Sequence, residues 1–371
     1  MNHIILATTN DLETDQRVHR IALTLLKTGA TVCLVGRLLP SSASLPPRPY
    51  ATHRFQMIFH KGLLFYACYN ARLLFYLLLH RVSIIVSNDL DTLPACRLAA
   101  WLRRKKLAYD SHEYFTEVPE LVDRPMVKNF WKILERMLVP GLKHCYTVNA
   151  SIAGEYNRLY GVQMEVIRNY PLQKYTEPAA PVPVAFEGKK ILLYQGSLNI
   201  ARGLELVIDA MQWLDDCVLM IIGTGDIEHI LRRKVNEAGL QKKVIFMGRV
   251  PLDKLYAYTR LAWLGLSLEE DLGLNYRYAL PNKLFDYIQA GVPVLVSELP
   301  EMAALVRSLN LGAIVESRDP QLFAAQIKAI AQNTKVYDEW KKNLASIASE
   351  FTWEKEESRL IKIYNDLGLS S

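Results

Sequence analysis

Apolar runs and amphipathic segments alternate along most of this chain. In the first half, apolar runs with the length of buried strands lie at residues 4–8, 31–35, 83–87, 107–109 and 145–148. Segments with helical periodicity lie between them, among them residues 15–28, 93–104, 125–139 and 151–160. Strands and helices that alternate in this way predict a parallel sheet wrapped by helices, which is an α/β fold.

A cluster of prolines interrupts this alternation near the middle of the chain. Pro171, Pro178, Pro181 and Pro183 lie close together, which predicts an interdomain linker. A length of 371 residues also exceeds that of one typical core. We therefore expect a first domain over residues 1–170, a linker over residues 171–188, a second domain over residues 189–352 and an amphipathic helix within residues 353–371.

Three junctions in the second half run between an apolar strand, a loop and a helix. Residues 190–203 (KILLYQGSLNIARG) enter a glycine-broken loop that carries Arg202. Residues 218–222 run into the loop GTGD, which contains Gly223 and Gly225. Such loops bring backbone N–H groups close to a phosphate at the carboxyl ends of parallel strands, so they predict a nucleotide-binding crevice.

The third junction, residues 278–298 (YALPNKLFDYIQAGVPVLVSE), places two charged residues at the start of a helix. Pro281 precedes the helix and Gly291 ends it. Lys283 and Asp286 are three positions apart, so they lie on one face of its first turns. A cation, a carboxylate and the N–H groups of a helix N-terminus suit a phosphate beside a sugar diol. The alternative is a solvated helix start with an ordinary ion pair.

Four segments of this half resemble, in the same order, the C-terminal half of the family-four (group 1) glycosyltransferases. They are YQGSLNIARGLELVIDAM, LMIIGTGD, VIFMGRVPLDKLYAYTRLAWLGLSL and LPNKLFDYIQAGVPVLVS, the last typical of a sub-group with P-N-K-L-F-[DE]-Y. The first half fits through NDLETDQRVHRIALTLLKTGATVCLV and YDSHEYFTEVPEL. The resemblance implies the GT-B fold, which has two Rossmann-like parallel-sheet domains facing a central cleft and a terminal helix that crosses back onto the first domain.

The resemblance also implies which residues bind the donor, a nucleotide-diphosphate sugar. They are Gly196, Ser197, Arg202, Gly223, Gly225, Gly248, Arg249, Val250, Asn282, Lys283 and Asp286. Arg202 and Lys283 are implied to act in catalysis by stabilising the departing diphosphate, and His112 is implied to face the donor sugar. One departure concerns the family's pair of glutamates. Asp286 matches the later one, but Tyr278 stands near the earlier one and supplies no charge at neutral pH.

Polar residues after two strands of the first half predict the acceptor side. His112 and Glu113 follow one strand in DSHEYFTEVPE, and Asp15 and Arg17 follow the first strand in TNDLETDQR. The alternatives are structural: a capped loop around His112 and a helix N-cap at Asp15.

Asp89 and Asp91 form a D-x-D motif after an apolar strand, as in GT-A glycosyltransferases, where two carboxylates chelate a metal-bound nucleotide. The motif lies in the half without phosphate-loop candidates, and we find no other cluster with ligand spacing. We therefore expect no metal ligands and no cofactor besides the nucleotide-sugar substrate.

Charge and hydropathy bear on the acceptor. Residues 1–180 carry a net charge of +8 and the remainder −2. This favours an anionic partner such as membrane headgroups or a diphosphate-bearing acceptor, although a basic surface without a partner is the alternative. Residues 62–79 (GLLFYACYNARLLFYLLL) have the length of a short membrane span, but Asn70 and Arg72 lie at their middle. A core helix and a helix on the membrane surface are the other interpretations.

The cysteines and the first residues favour a cytoplasmic enzyme. Five cysteines are scattered without a C-x-x-C pair, which is typical of reduced thiols. We see no signal-peptide pattern after Met1. We expect a cytoplasmic location, with a peripheral position on the inner face of the cytoplasmic membrane as its extension.

Together these observations predict a retaining hexosyl- or N-acetylhexosaminyl-transferase of cell-surface polysaccharide or glycoconjugate synthesis. Its acceptor is expected to be a saccharide or a polyprenyl-linked saccharide, and no nucleic-acid partner is expected. Two alternatives stay open: a GT-B nucleotide-sugar 2-epimerase and a catalytically silent nucleotide-sugar-binding subunit. An NAD dehydrogenase is disfavoured because TTNDLETD has no glycine and GTGDIE lacks the third glycine of the dinucleotide fingerprint.

Overall fold

The computed structural model describes residues 2–13, 15–40, 42, 44–173, 179–181 and 186–369. It forms two compact units, Met1–Asn169 together with Trp353–Ser371, and Tyr170–Thr352. The linker predicted over residues 171–188 includes residues 174–178 and 182–185, which lie outside the described residues.

The first unit is built on a seven-stranded parallel sheet with the order β3-β2-β1-β4-β5-β6-β7. Its strands are β1 (His3–Ala7), β2 (Thr31–Leu38), β3 (Ala51–Gln56), β4 (Ile84–Asn88), β5 (Lys106–Ser111), β6 (Cys145–Thr147) and β7 (Glu165–Val166). The helices between them are α1 (Gln16–Lys27), α2 (Gly62–Leu79), α3 (Leu93–Leu102), α4 (Pro125–Leu138) and α5 (Ala150–Tyr160).

The second unit contains a six-stranded parallel sheet with the order β10-β9-β8-β11-β12-β13. Its strands are β8 (Lys190–Gln195), β9 (Cys217–Ile222), β10 (Val244–Gly248), β11 (Leu264–Ser267), β12 (Val294–Val296) and β13 (Gly312–Ile314). Its helices are α6 (Leu204–Ala210), α7 (Glu228–Glu237), α8 (Leu252–Thr259), α9 (Leu274–Arg277), α10 (Asn282–Gln289), α11 (Pro300–Leu309), α12 (Pro320–Gln332) and α13 (Thr334–Ile347).

Both faces of each sheet are covered by helices. Successive strand residues point to opposite faces, so each strand contributes to two cores. In β8, Leu192 and Tyr194 join the core that includes α6, α7 and α12, whereas Ile191 and Leu193 join the core that includes α10 and α11. This explains why the strands read as continuous apolar runs rather than as alternating patterns. The predicted fold class, two Rossmann-like parallel sheets of the GT-B type, is confirmed.

The last helix, α14 (Trp353–Asp366), belongs to the first unit. The indole N–H of Trp353 donates to Thr24 Oγ1 on α1 at 2.9 Å. The hydroxyl groups of Tyr364 and Tyr146 lie 3.0 Å apart in the same core. The chain therefore completes its first core with residues from its end.

Helix α2 presents one buried stripe and a largely exposed remainder. Phe65, Tyr69, Leu73 and Leu77 are spaced by four and pack against the sheet. Within the described residues, α2 is the one helix that passes the length and composition test for a membrane span, with a mean hydropathy of 1.4 and 22% of the helix buried.

Each sheet has one position where the strand order reverses, between β1 and β4 in the first unit and between β8 and β11 in the second. In open parallel sheets, the carboxyl ends of the strands at such a switch point diverge and leave a crevice for ligands. Arg202 follows β8 and Asp89 follows β4, so these two candidate residues lie at the switch points.

Candidate functional site

Arg202 lies in the loop between β8 and α6, at the switch point of the second sheet. Its neighbours Ala201 and Gly203 have φ values of +61° and +70°, so the chain turns sharply on both sides of it. A Cβ atom at position 203 would lie 2.4 Å from the carbonyl oxygen of Leu268, which only glycine avoids. The amide of Glu270 donates to the carbonyl oxygen of Ala201 at 3.0 Å. These contacts fix the Arg202 loop against the loop that follows β11.

Glu269, in that second loop, holds two cations together. Its Oε1 lies 2.8 Å from Lys283 Nζ and 3.3 Å from Arg202 Nη1, and its Oε2 accepts a hydrogen bond of 2.7 Å from Ser267. Lys283 is only 7% exposed, and its Nζ lies 4.0 Å from the ring centroid of Tyr194. Despite the ion pair, Lys283 Nζ has no aligned hydrogen-bond acceptor among the described residues. The ammonium group therefore keeps N–H donors for an incoming anion.

The charges of this cluster follow from burial and proximity. Burial would raise the pKa of Glu269, but the charges of Lys283 and Arg202 outweigh it and hold that pKa at about 2. Burial lowers the pKa of Lys283 to about 8, although the nearby Glu269 carboxylate opposes this change. At neutral pH the cluster therefore contains two cations and one carboxylate. The unbalanced positive charge, in a partly water-excluded position, favours an anionic ligand.

Three of the glycines predicted to bind the donor, one of them (Gly248) expected near the nucleotide base, lie at the carboxyl ends of adjacent strands. Gly196 and Gly223 have φ values of +137°, and Gly248 has a φ of +67°. A Cβ atom at position 223 would lie 1.9 Å from the carbonyl oxygen of Gly196, and one at position 225 would lie 2.5 Å from the backbone nitrogen of Leu198. Glycine at 223 and 225 is therefore required for these loops to pack together. Their role in binding a donor stays a prediction.

Asp286 lies one turn after Lys283 on α10 and is held by the last residue of β8. Gln195 Nε2 donates to Asp286 Oδ2 at 2.8 Å, and Gln195 Oε1 accepts a hydrogen bond of 2.8 Å from Thr259. The carboxylate is thus oriented by a buried amide at the same sheet edge. The other predicted donor residues are exposed (Ser197, Arg249 and Asn282) or half-buried (Val250).

His112 lies just beyond β5, between two carboxylates. Its Nε2 is 2.9 Å from Asp110 Oδ2, and its Nδ1 is 3.6 Å from Asp89 Oδ2. The backbone amide of His112 also donates to Asp89 Oδ1 at 2.8 Å. Asp89 has a φ of +64°, which is uncommon for a residue other than glycine. Because 3.6 Å exceeds hydrogen-bond distance, the Nδ1 proton stays available to a ligand hydroxyl.

The two carboxylates determine the charge of His112. Burial alone would lower the pKa of His112, but Asp110 and Asp89 outweigh burial and raise that pKa to about 10. Burial opposes ionisation of Asp110, yet Arg17 and His112 keep its pKa below the ordinary value. Burial raises the pKa of Asp89 to about 7. At neutral pH the imidazole is therefore protonated and offers a charged hydrogen-bond donor.

The three residues predicted to line the acceptor side occupy different environments. Arg17 is buried, and its Nη2 and Nε lie 2.8 and 3.0 Å from the two oxygens of Asp110. Arg17 therefore reaches a ligand only through the side chains that it positions. Asp15 is the N-cap of α1, since its Oδ1 accepts a hydrogen bond of 2.9 Å from the amide of Val18. Glu113 is exposed. Contact with an acceptor stays a prediction for all three.

Both aspartates of the D-x-D motif make contacts inside the first unit. Asp89 accepts from the His112 amide, and Asp91 Oδ2 accepts a hydrogen bond of 2.5 Å from Thr9 across the β1/β4 switch point. In the part of the chain that the structure describes, no group of three or more His, Cys, Asp or Glu side chains is placed to hold a metal ion. Metal-independent activity stays a prediction.

Glu269 is absent from the residues predicted on the sequence. The only signal in the sequence is its position, because Leu268-Glu269 directly follows the run that forms β11. An acid at this point is typical of the start of any polar loop. Only the strand order places β11 beside β8, and hence Glu269 beside Arg202.

Comparison with known families covers both units. The family model "Glycosyl transferases group 1" matches residues 177–346, and "Glycosyltransferase Family 4" matches residues 15–170. The chain belongs to the group 1, family-four glycosyltransferases. The resemblance deduced from the sequence is thereby confirmed, although the sub-group motif is not tested.

Individual relatives of this glycosyltransferase are distant. A phosphatidyl-myo-inositol mannosyltransferase of Mycobacterium leprae is 24% identical over 194 residues, which cover 49% of the chain and 48% of that protein. The chain thus aligns with about half the length of the curated relatives it matches. Among solved structures, sucrose-phosphate synthase from Thermosynechococcus elongatus has a TM-score of 0.79 at 17% identity and full coverage of both chains. Anabaena HepE in complex with UDP-glucose has a TM-score of 0.73 at 14% identity and covers 99% of this chain and 100% of its own. At identities this low, the structural similarity establishes the shared fold alone.

Proposed function

We propose that this glycosyltransferase takes its sugar from a nucleotide-diphosphate donor and transfers it with retention of anomeric configuration. The observation that carries the proposal is the cluster of Arg202 and Lys283 around buried Glu269 at the switch point of the second sheet. A cluster with one more cation than anion is suited to a diphosphate, and Asp286 would accept hydrogen bonds from ribose hydroxyls. The UDP-glucose complex of the structural relative HepE supports this class of donor.

In the proposed reaction, the acceptor hydroxyl attacks the anomeric carbon on the face from which the diphosphate departs. The bond between that carbon and the diphosphate oxygen breaks as the bond to the acceptor oxygen forms. The acceptor proton passes to the leaving diphosphate. Arg202, Lys283 and the N-terminus of α10 would stabilise the charge that develops on the diphosphate, so no protein nucleophile is needed.

His112 would act on the sugar rather than on the diphosphate. Its protonated imidazole offers a charged donor to a sugar hydroxyl, and its orientation is fixed by Asp110. Arg17, buried behind Asp110, is a positioning residue in this scheme. The charged pair of Arg17 and Asp110 keeps His112 in one rotamer and in its protonated state.

We propose further that the acceptor is a lipid-linked saccharide, reached from the cytoplasmic face of a membrane. The outer side of α2 exposes large apolar residues, including Leu63 (61% exposed), Phe75 (64%) and Leu79 (81%). Basic residues Lys61 and Arg81 flank the helix. Apolar burial combined with basic residues is the pattern of reversible binding to anionic bilayers.

Helix α4 adds a second exposed apolar stripe that the sequence analysis does not assign to the membrane. Met126, Phe130, Ile133 and Met137 follow the spacing of one helical face, and all four are exposed. The buried side of α4 carries Trp131, whose ring meets that of Tyr66 on α2 at a centroid distance of 4.9 Å. The two helices are therefore neighbours, and their exposed apolar residues supply area for bilayer contact. The name of the mycobacterial relative, a phosphatidyl-myo-inositol mannosyltransferase, supports a lipid acceptor.

A thermal-shift screen against UDP-, GDP-, ADP- and dTDP-sugars tests the donor assignment. Ligand binding to the folded state raises the melting temperature by mass action. We expect one nucleotide class to stabilise the wild-type protein and to stabilise Lys283→Ala much less. Absence of a shift with all four classes would refute the donor assignment.

An activity assay with the ligand found in that screen then separates the transferase from the 2-epimerase and from the silent subunit. Incubation with the matching nucleotide sugar and a polyprenyl-diphosphate saccharide should yield an elongated acceptor. A free or epimerised sugar without acceptor would indicate the 2-epimerase. Binding without any turnover would indicate the silent subunit.

A further inference from the structure

A groove of about 730 Å³ opens at the carboxyl end of the first sheet, away from its switch point. One wall consists of Leu38, Leu39, Met57 and Ile58, which follow or end strands β2 and β3. The other wall is α2, which contributes Cys68, Ala71 and Arg72. Most of this lining is apolar, and the volume is within the range of small-molecule sites, about 300–1,000 Å³.

The polar groups of the groove are all suited to an anion. Arg72 is exposed, and its guanidinium is anchored by a hydrogen bond to the carbonyl oxygen of Gln56. His60 also lines the groove, and its Nδ1 is buried without a hydrogen-bond partner among the described residues. None of the residues that form the groove is acidic. An apolar groove with an exposed guanidinium and a neighbouring imidazole matches a hydrocarbon chain that ends in a phosphate.

Arg37 connects this groove with the switch point of the same sheet. Its Nη1 donates to the carbonyl oxygen of His60 at 3.0 Å, and its guanidinium lies over the ring of Phe65 at 4.4 Å. Its charge also acts on the carboxyl group of Asp91, where it opposes the rise in pKa caused by burial. The same helix α2 donates from Asn70 Nδ2 to the backbone oxygen of Asp91 at 2.8 Å. The groove and the His112 region are thus linked by a few side chains within one unit.

We propose that this groove binds the phosphate-proximal hydrocarbon segment of a lipid-phosphate acceptor, with its phosphate near Arg72 and His60. The inference rests on the proposed transfer to a lipid-linked saccharide and assigns the lipid a site of its own. The apolar outer face of α2 adjoins the groove, so a chain in a bilayer has a short path into it. Burial of its methylene groups supplies much of the affinity of the chain, and the phosphate sets the direction in which the chain lies.

Cys68 provides a direct test, because its thiol lines the groove. The full-length protein is treated with N-ethylmaleimide, with and without decyl phosphate below its micellar concentration. Alkylation of Cys68 is measured by peptide mass spectrometry. At a concentration about ten times the dissociation constant, decyl phosphate should slow alkylation of Cys68 about ten-fold. Inorganic phosphate should not protect, and uncharged decyl maltoside should protect less than decyl phosphate.

Two reference thiols distinguish occupancy from general effects. Cys33 reports on the same unit, and a thiol introduced by Ser308→Cys at an exposed position of α11 reports on loss of reagent. Ala71→Trp should fill the groove and abolish protection by decyl phosphate. Leu63→Trp is the matched control and should retain it, because Leu63 is exposed and lies five residues before Cys68, off the helix face that lines the groove. Unchanged alkylation of Cys68, or equal protection of all three thiols, would overturn the proposal.

The site and the enzymatic function can fail separately. Protection of Cys68 without transfer to any lipid-linked saccharide would support the groove and refute the acceptor class. Transfer to a lipid-linked saccharide without protection of Cys68 would leave the function intact and refute the groove.

Discussion

The charge of Lys283 should set the pH range in which the second unit binds a nucleoside diphosphate. Burial lowers the pKa of Lys283 to about 8, against an ordinary value of 10.5. The lysine is then about nine-tenths protonated at pH 7 and about one-tenth protonated at pH 9. If only the charged form binds, the affinity for the diphosphate falls about ten-fold between these two pH values.

The neighbouring groups do not titrate in this range. Arg202 keeps its charge, because Glu269 raises its pKa in spite of burial. Glu269 has a pKa of about 2, and burial raises the pKa of Tyr194 far above this window. The second ionisation of a phosphate monoester has a pKa of about 6, so phosphate charge should change little above pH 7. Lys283 alone therefore determines the direction of the pH dependence. The affinity for the diphosphate decreases as pH rises through about 8.

Isothermal titration calorimetry with the nucleoside diphosphate found in the thermal-shift screen measures this directly. At pH 9 the wild-type protein should take up nearly one proton on binding, because the bound anion restores the charge of Lys283. Lys283→Met should bind more weakly at pH 7, with an affinity that is flat to pH 9 and no proton uptake. Parallel pH profiles for the two proteins would refute the assignment of Lys283 to the diphosphate.

Three further predictions address the donor, the metal and the membrane. Arg202→Ala should weaken nucleotide binding about ten- to a hundred-fold, since it removes a charge-assisted contact of about 1.5–3 kcal/mol; an unchanged dissociation constant in titration would contradict this. Transfer should persist in excess chelator, because cationic side chains stand where a metal would neutralise the diphosphate, whereas loss of activity that manganese restores would favour chelation by Asp89 and Asp91. Ile133→Glu should reduce flotation with anionic liposomes at low salt about thirty-fold, from about 2 kcal/mol of lost apolar burial. Leu322→Glu, at an exposed position of α12, should not reduce it. Equal flotation of the two variants, or equal binding to neutral liposomes, would contradict a role for α4.

Elements with a strong local pattern could be predicted from the sequence. The helix at Pro281 begins and ends where expected, at Asn282 and Gln289, because proline and glycine impose backbone limits that no tertiary contact removes. Strand β3 has no apolar run, since five of its six residues are exposed or half-buried at the edge of the sheet, so its sequence did not indicate a strand. Strand β7 is only two residues long and leaves no periodic signal.

In the candidate site, individual residues could be predicted from the sequence, but the contacts between them could not. Arg202 and Lys283 could be found because each has a local signature: a glycine-broken loop after β8 carries Arg202, and a helix start behind Pro281 carries Lys283. The partners of these residues could not be found, because ion pairs inside a parallel sheet join residues that are distant in sequence. Arg17 and Asp110 are 93 positions apart, and their contact depends on the order of strands β1, β4 and β5. Arg17, which the sequence predicts on the acceptor side, therefore lies buried in the first turn of α1, behind Asp110 and His112.

The two switch points differ in charge, and this difference argues for a division of labour. In the second unit, two cations share the single carboxylate of Glu269, which leaves a positive site. In the first unit, His112 and Arg17 face Asp110, Asp89 and a third carboxyl group, Asp91, so cations do not exceed acids. The positive site of the second unit would stabilise the charge of a departing diphosphate. Carboxylates that burial has partly desolvated, as in the first unit, would stabilise an electron-deficient anomeric carbon. The sequence has a comparable number of charges in both places, so only the pattern of ion pairs distinguishes the two.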